Sequence, residues 1–302
     1  MKINISESYD DDIASIFQRA HKLIDLKYWD NVSHIVLDNW IRNFRTREER
    51  YLAAAILHSI IFRNKQSIIT MGHDIFQFIL PQILEENGIH QINSIENWLE
   101  ELNSRNFRKM KFRFSAIDDI DDNAVKSSSN ILSSLKETFF DKTLAINSHR
   151  IKNFTENGVK AIIFFDDIIG TGTQFEDFYK LRKLDELKEV KIIYIPFAAV
   201  KDTVIRLQKT LSNVIISPVE IIDDTHNFFC ESNDFLSFMN DFNYDEFRSF
   251  YLDVCKAKKI NLHGNLGVGE LSLTYIFSSS TPNNNLAMLM HRDTSWSGLF
   301  KR

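Results

Sequence analysis

The chain has 302 residues, 44% of them hydrophobic and 25% charged, with a formal net charge of −5. That balance suits a folded globular protein with a sizeable core; it excludes a disordered chain and gives no global attraction to nucleic acid or anionic membrane. Only 9 Gly and 4 Pro occur, and the two cysteines, Cys230 and Cys255, have no paired spacing, so both read as reduced thiols.

The N-terminal stretch "MKINISESYDDDIASIF" lacks a basic head followed by a long apolar segment. No apolar run reaches the length of a membrane span. A cytoplasmic protein without membrane partners is expected.

The first hundred residues carry helical periodicity. Trp29, Val32, Val36, Trp40 and Phe44 recur every three or four positions, which lays them on one face of an amphipathic helix. "TREERYLAAAILHSIIF" opens with Thr46 and Glu49 in capping-box spacing before an apolar run. In "SIITMGHDIFQFILPQILEENG", Ile68, Met71, Ile75, Ile79 and Ile83 share one side. Pro81 should kink or shorten that helix and Gly88 should end it.

Residues 104–114, "SRNFRKMKFRF", gather Arg105, Arg108, Lys109, Lys111 and Arg113 around Phe107 and Phe112. This is either a solvated loop leading into a strand or a phosphate-attracting rim. A nucleic-acid-facing role for the segment is the weakest of the functional readings.

From about residue 110 the pattern changes. "MKFRFSAI" reads as a strand and "SSNILSSLKETFF" as a helix. "VKAIIFF" at 159–165 is an apolar run of strand length, as expected for a strand covered on both faces. Helix "FEDFYKLRKLDELK", strand "VKIIYIPFAAV", helix "DTVIRLQKTLS" and strand "NVIISPVEII" follow. Such alternation implies parallel βαβ units. Helix returns at 232–258, and a strand-like "ELSLTYIF" follows the turn-rich "HGNLGVG".

Residues 161–178, "AIIFFDDIIGTGTQFEDF", carry the clearest chemical signal. A parallel sheet binds ligands at the carboxyl ends of its strands. Asp166 and Asp167 are expected at that rim. Gly170, Thr171, Gly172 and Thr173 then turn into a helix starting near Gln174. Glycines let backbone approach an anion, while Thr hydroxyls and first-turn N–H groups donate to it. Carboxylates repel phosphate, so the pair should face neutral hydroxyls of the same ligand. A 5′-phosphorylated ribose meets both demands. Paired aspartates also occur in ordinary strand-to-loop turns; the Gly-Thr-Gly-Thr loop is what favours the ligand reading.

Other motifs carry less. "DDIDD" at 118–122 lacks the ligand order of a calcium loop. "HRD" at 291–293 has neither the Gly-rich loop nor the DFG of a kinase. The histidines show no metal spacing.

The loop at 161–174 resembles the phosphoribosyl pyrophosphate (PRPP) motif of type I phosphoribosyltransferases: hydrophobic strand, two acidic residues, two hydrophobic residues, then a Thr/Gly-rich phosphate loop. The resemblance implies that Asp166 and Asp167 hold the ribose hydroxyls and are the catalytic candidates. It assigns the 5′-phosphate to Thr171, Gly172 and Thr173, with Gly170 in the same ribose-phosphate loop. Gly170 stands where purine-salvage members carry an acidic residue, and Gln174 where a Thr is common.

The chain also looks like the phosphoribosyltransferase-like effectors of bacterial conflict and anti-phage systems, some of them retron-associated. The matching features are Trp29, Trp40 and Phe44, "VKSSSN" at 125–130, Pro282-Asn283-Asn284, Trp296 and the terminal Leu299-Phe300-Lys301-Arg302.

The implied fold is an α/β, type I phosphoribosyltransferase-like parallel sheet with an N-terminal helical extension and a C-terminal closing element. The expected divisions are a helical lobe at 1–105, the α/β core at 106–225 and a C-terminal, hood-like extension at 226–302. Lys126, Ser127 and Ser128 are candidates for a pyrophosphate loop, and Asn283 and Asn284 for a hood. Mg²⁺ would arrive with PRPP rather than in a protein metal site. The expected partners are PRPP or a phosphorylated ribose, and a defence-system protein or nucleic acid. A non-catalytic ribose-phosphate sensor or interaction module is the alternative function.

Overall fold

The computed structural model describes residue 5 and residues 9–104, 109–117, 127–231 and 243–301. The "DDIDD" run, Arg105, Phe107, Arg108, Lys126, Arg302 and the first part of the expected 232–258 helix lie outside the described residues.

The chain forms two compact units, one of Met1–Lys65 with Asp223–Arg302 and one of Gln66–Ile222. This division differs from the three consecutive segments expected from the sequence. Both ends of the chain build the first unit, and the helices from residue 66 onward join the α/β unit.

The first unit begins with α1 (Asp10–Asp25), α2 (His34–Ile41) and α3 (Arg47–Ser59). Ser33 caps α2 by accepting from the Val36 amide, so the helix starts later than the apolar periodicity suggested. Thr46 caps α3 through the Glu49 amide at 3.2 Å, and the Glu49 carboxylate accepts from the Arg45 amide at 2.6 Å. The apolar run then leaves the helix: β1 (Ile61–Arg63) is a strand where the sequence read as helix.

The second unit starts with α4 (Lys65–Asp74), a wide π-helical stretch (Ile75–Ile79) and α5 (Leu80–Glu86). Pro81 does not end this helix. It lacks an N–H and crowds the preceding turn, and the widened five-residue stretch just before α5 absorbs that conflict. Gly88, at φ +61°, ends it. There the Ile89 amide reaches Leu84 O and the Gly88 amide reaches Glu85 O, both at 2.9 Å.

After α6 (Ile95–Asn103) come β2 (Phe112–Ser115), α7 (Ser127–Phe139), β3 (Ala145–Ile146), α8 (Ile151–Glu156), β4 (Ala161–Ile169), α9 (Thr173–Leu181), β5 (Lys191–Val200), α10 (Lys201–Thr210), β6 (Val214–Ile216) and β7 (Glu220–Ile222). All of these strands pair parallel, in the order β3-β2-β4-β5-β6. The strand expected at "NVIISPVEII" is split at Pro218. β6 pairs the first part of β5 at Ile192–Tyr194, and β7 pairs its end at Ala198–Val200.

Both faces of this sheet are covered. On one, Phe76 from the π-helical stretch meets Phe114, Phe139, Phe140 and Phe165, with ring centroids 5.0 to 5.8 Å apart. On the other, Phe164 meets Phe175 and Phe178 of α9. Arg113 lies within β2 and is itself buried, donating to Met110 O at 2.8 Å and lying over the Phe154 ring. It is therefore no part of an exposed basic rim, whereas Lys109 and Lys111 remain exposed.

The first unit is completed by α11 (Tyr244–Ala257), β8 (Tyr275–Phe277) and α12 (Ala287–Met290), with β8 pairing β1 in parallel. Its core holds Trp29, Trp40, Phe44, Phe62, Trp296 and Phe300. The indole N–H groups of Trp40 and Trp296 converge on Met288 O at 2.8 and 3.1 Å. The "HGNLGVG" segment is a series of turns, and Gly267, at φ +78°, lies where a Cβ would come within 2.3 Å of the Asn284 backbone. Cys255 is buried in this unit, and burial pushes its thiol up to about 12. The Asp of "HRD" organises a turn: Asp293 accepts from the amides of Ser295 and Trp296.

Removing the ring at the centre of the aromatic cluster tests this account of the second unit. Phe76→Ala should cost about 3–5 kcal/mol of stability, read as a lowered denaturant midpoint.

Candidate functional site

The order of the sheet creates a switch point. From β2 the chain crosses to β3 on one side; from β4 it crosses to β5 on the other. Ligand crevices of open parallel sheets form at the carboxyl ends of the strands where the order reverses. Here β2 and β4 both end at that place, and the loop entering α9 follows β4.

β4 is longer than its apolar run. It continues through both aspartates to Ile169, pairing with β5 as far as Ile169↔Ala199. Its pairing with β2 stops at Ser115↔Phe164. Asp166 and Asp167 therefore sit on the part of β4 that outruns β2.

Both aspartates are buried, at 4% and 5% exposure, where the sequence suggested an open lip. Asp166 is held by three donors. Ser127 Oγ donates to its Oδ1 at 3.0 Å, the Asp167 amide donates to the same oxygen at 3.0 Å, and the Tyr194 hydroxyl donates to its Oδ2 at 2.9 Å. Burial, and next the Asp167 carboxylate, push the Asp166 carboxyl well above the usual carboxylate range. Burial, and next Asp166, likewise raise the Tyr194 phenol, which keeps it a donor. Asp167 accepts from the Ile168 amide at 2.8 Å.

The loop after β4 is shaped by α10. Thr203 Oγ1 donates to Gly170 O at 2.7 Å, and Arg206 Nη2 donates to Thr171 O at 2.8 Å. Gly172 adopts φ +78°, and a Cβ there would meet Thr203 Cγ2 at 2.8 Å, so glycine is demanded twice. α9 then starts at Thr173 with no side-chain cap on its first amides. The hydroxyls of Thr171 and Thr173 lie 3.2 Å apart, with Thr173 exposed. Uncapped first-turn amides, the positive end of the helix dipole and two hydroxyls suit an anion.

The other candidate residues are less available. Ser128 is fully buried; its hydroxyl donates to Phe165 O at 2.7 Å and accepts from the Ile117 amide at 2.8 Å. With its single hydrogen spent, it has none to give a pyrophosphate. The Ser127 hydrogen goes to Asp166. Both serines latch α7 onto β4 instead of presenting donors outward. Asn283 and Asn284 belong to the first unit, where the Asn284 amide donates to Val268 O at 2.8 Å and Asn283 O accepts from the Val268 amide at 2.9 Å.

Three residues that shape the site went unnoticed in the sequence: Tyr194, Thr203 and Arg206. A signal existed for Tyr194, because a hydroxyl inside a doubly covered strand must find a polar partner. Thr203 and Arg206 have none, since their partners are carbonyls 33 and 35 residues away. Among the described residues, no group of three or more His, Cys, Asp or Glu side chains could hold a metal ion. No helix among them is long and apolar enough to cross a membrane.

A carboxyl whose folded pKa lies above its unfolded value binds its proton more tightly in the folded state. The stability it contributes is present below about pH 4. It is lost as pH rises from there through the folded value. Asp166→Asn removes that dependence. Relative to wild type, the variant should gain stability steadily as pH rises from about 4 to 8, measured as unfolding free energy at each pH; a difference that stays flat or falls would contradict the raised carboxyl.

No curated protein matches the chain. The PRTase-CE family matches residues 37–302, most of its length, and the chain belongs to this phosphoribosyltransferase-like family.

Proposed function

We propose that this protein binds a 5-phosphorylated ribose, with PRPP carrying Mg²⁺ as the foremost candidate, and acts at C1 of the sugar. The observation that carries the reading is the Gly170–Thr173 loop. It follows the central strand directly, is braced by Thr203 and Arg206, and opens a helix whose first amides have no side-chain cap. The 5′-phosphate would take those amides and the hydroxyls of Thr171 and Thr173. Asp167 would meet the ribose hydroxyls.

Displacement at C1 breaks the bond to pyrophosphate through a transition state of oxocarbenium character. Mg²⁺ on the substrate would offset the charge developing on the leaving group. The protein's own part is to hold the sugar phosphate and exclude water. The resemblance of the helical and C-terminal sequence features to those of conflict-system effectors is what supports a role in bacterial anti-phage defence.

The burial of both aspartates favours a second reading, in which the loop binds a ribose phosphate as a sensor without turnover. Titration calorimetry with ribose 5-phosphate and with Mg²⁺–PRPP tests the binding shared by both. Thr173→Ala and Asp167→Asn should each weaken binding about tenfold. Wild-type protein that binds neither compound would end both readings. Pyrophosphate release from PRPP separates them: release supports the enzyme, and binding without release supports the sensor.

A further inference from the structure

We infer that Asp166 is a positioning residue, not a ligand contact: its carboxyl group ties the start of α7 and the backbone of β4 to β5 and so sets where Asp167 stands. The inference rests on the ribose-phosphate reading only for what Asp167 would meet. The tie itself is visible in the contacts.

Three donors from three places converge on this one side chain. Ser127 is the first residue of α7, Tyr194 lies in β5, and the third donor is the amide of Asp167 itself. The Asp167 side chain hydrogen-bonds to the same group, so the hydrogen-bonding capacity of the Asp166 carboxyl is largely used within the protein. Asp167 is buried to the same degree, so exposure does not separate the two; the three donors that engage both oxygens of Asp166 do, and they leave it little to offer a sugar. The adjacent Ser128 bonds to Phe165 O and the Ile117 amide, so a second link joins the same two elements one residue along each chain. Tyr194 is held from its other side, where its ring stacks on Phe175 at 4.2 Å between centroids. The arrangement is a cross-brace beneath the loop, built where β2 no longer pairs with β4.

The chemistry separates a brace from a ligand contact. An asparagine at 166 keeps an acceptor oxygen, and the hydroxyls of Ser127 and Tyr194 can rotate to accept from its amide nitrogen. It would preserve the brace but could not act as a carboxylate towards a ribose. An alanine would abolish both.

Hydrogen exchange on the full chain reads the brace without any ligand. Asp166→Ala should speed exchange in 127–139 and in 161–169 by about tenfold or more. Asp166→Asn should stay within about threefold of wild type, the size of one modest hydrogen bond. If Asp166→Ala does not fold, Ser127→Ala and Tyr194→Phe replace it, each removing one donor and each speeding both segments by about threefold or more. Exchange unchanged in the donor-removing variants, or Asp166→Asn as fast as Asp166→Ala, overturns the inference. Titration with ribose 5-phosphate adds the second readout. Asp166→Asn should keep binding within about threefold of wild type while Asp167→Asn loses about tenfold; equal losses overturn it. Should wild type bind no ribose 5-phosphate, the functional reading falls, and hydrogen exchange still decides the role of Asp166.

Discussion

A carboxyl group buried at the end of a strand has to be satisfied, and much of the second unit's architecture follows from that requirement. Removing a carboxylate from water is costly unless donors or a proton replace the lost hydration. At Asp166 both remedies operate: Ser127, Tyr194 and the Asp167 amide supply donors, and burial favours the protonated form. Each donor comes with a constraint. Ser127 ties down the start of α7, Tyr194 fixes the registration of β5 beside β4, and the amide shapes the strand. Polar groups thus specify the sheet end where apolar packing alone would tolerate slippage.

The apolar layers make that polar cluster possible. Phe76, Phe114, Phe139, Phe140 and Phe165 fill one face, while Phe164, Phe175 and Phe178 fill the other. Each buried aromatic contributes about 1.5–3 kcal/mol. That reserve is what allows charged groups to be held out of water at the strand's end. The same packing explains why the helices after residue 66 belong with the sheet: Phe76 is the ring on which four others converge.

The loop after β4 shows how one helix can shape another's amino end. α10 contributes Thr203 and Arg206 to two successive loop carbonyls, and its packing leaves no room for a side chain at Gly172. The carbonyls are thereby turned towards α10, and the first amides of α9 carry no side-chain cap. A loop prepared in this way would lose little conformational freedom on taking the proposed phosphate. The hydroxyls of Ser127 and Ser128, by contrast, are used internally.

The sequence by itself determined the α/β class, the parallel alternation after residue 110, and the strand-loop-helix at 161–181, because periodicity and turn chemistry are local. It also marked Trp29, Trp40 and Phe44 as core, since amphipathic spacing reports burial directly. Its reach ended where contacts are long in sequence. The pairing of β1 with β8 joins residues more than two hundred positions apart, which turned part of an apolar helix into strand and brought the chain ends into one unit. Pro81 was absorbed by a widened turn because Phe76 anchors the helix on the sheet, a tertiary compensation that propensity does not register. Adjacent carboxylates look alike in a string of letters, and only the tertiary structure brings Tyr194 and Ser127 onto one of them, because a buried carboxyl group needs donors that lie far away in sequence.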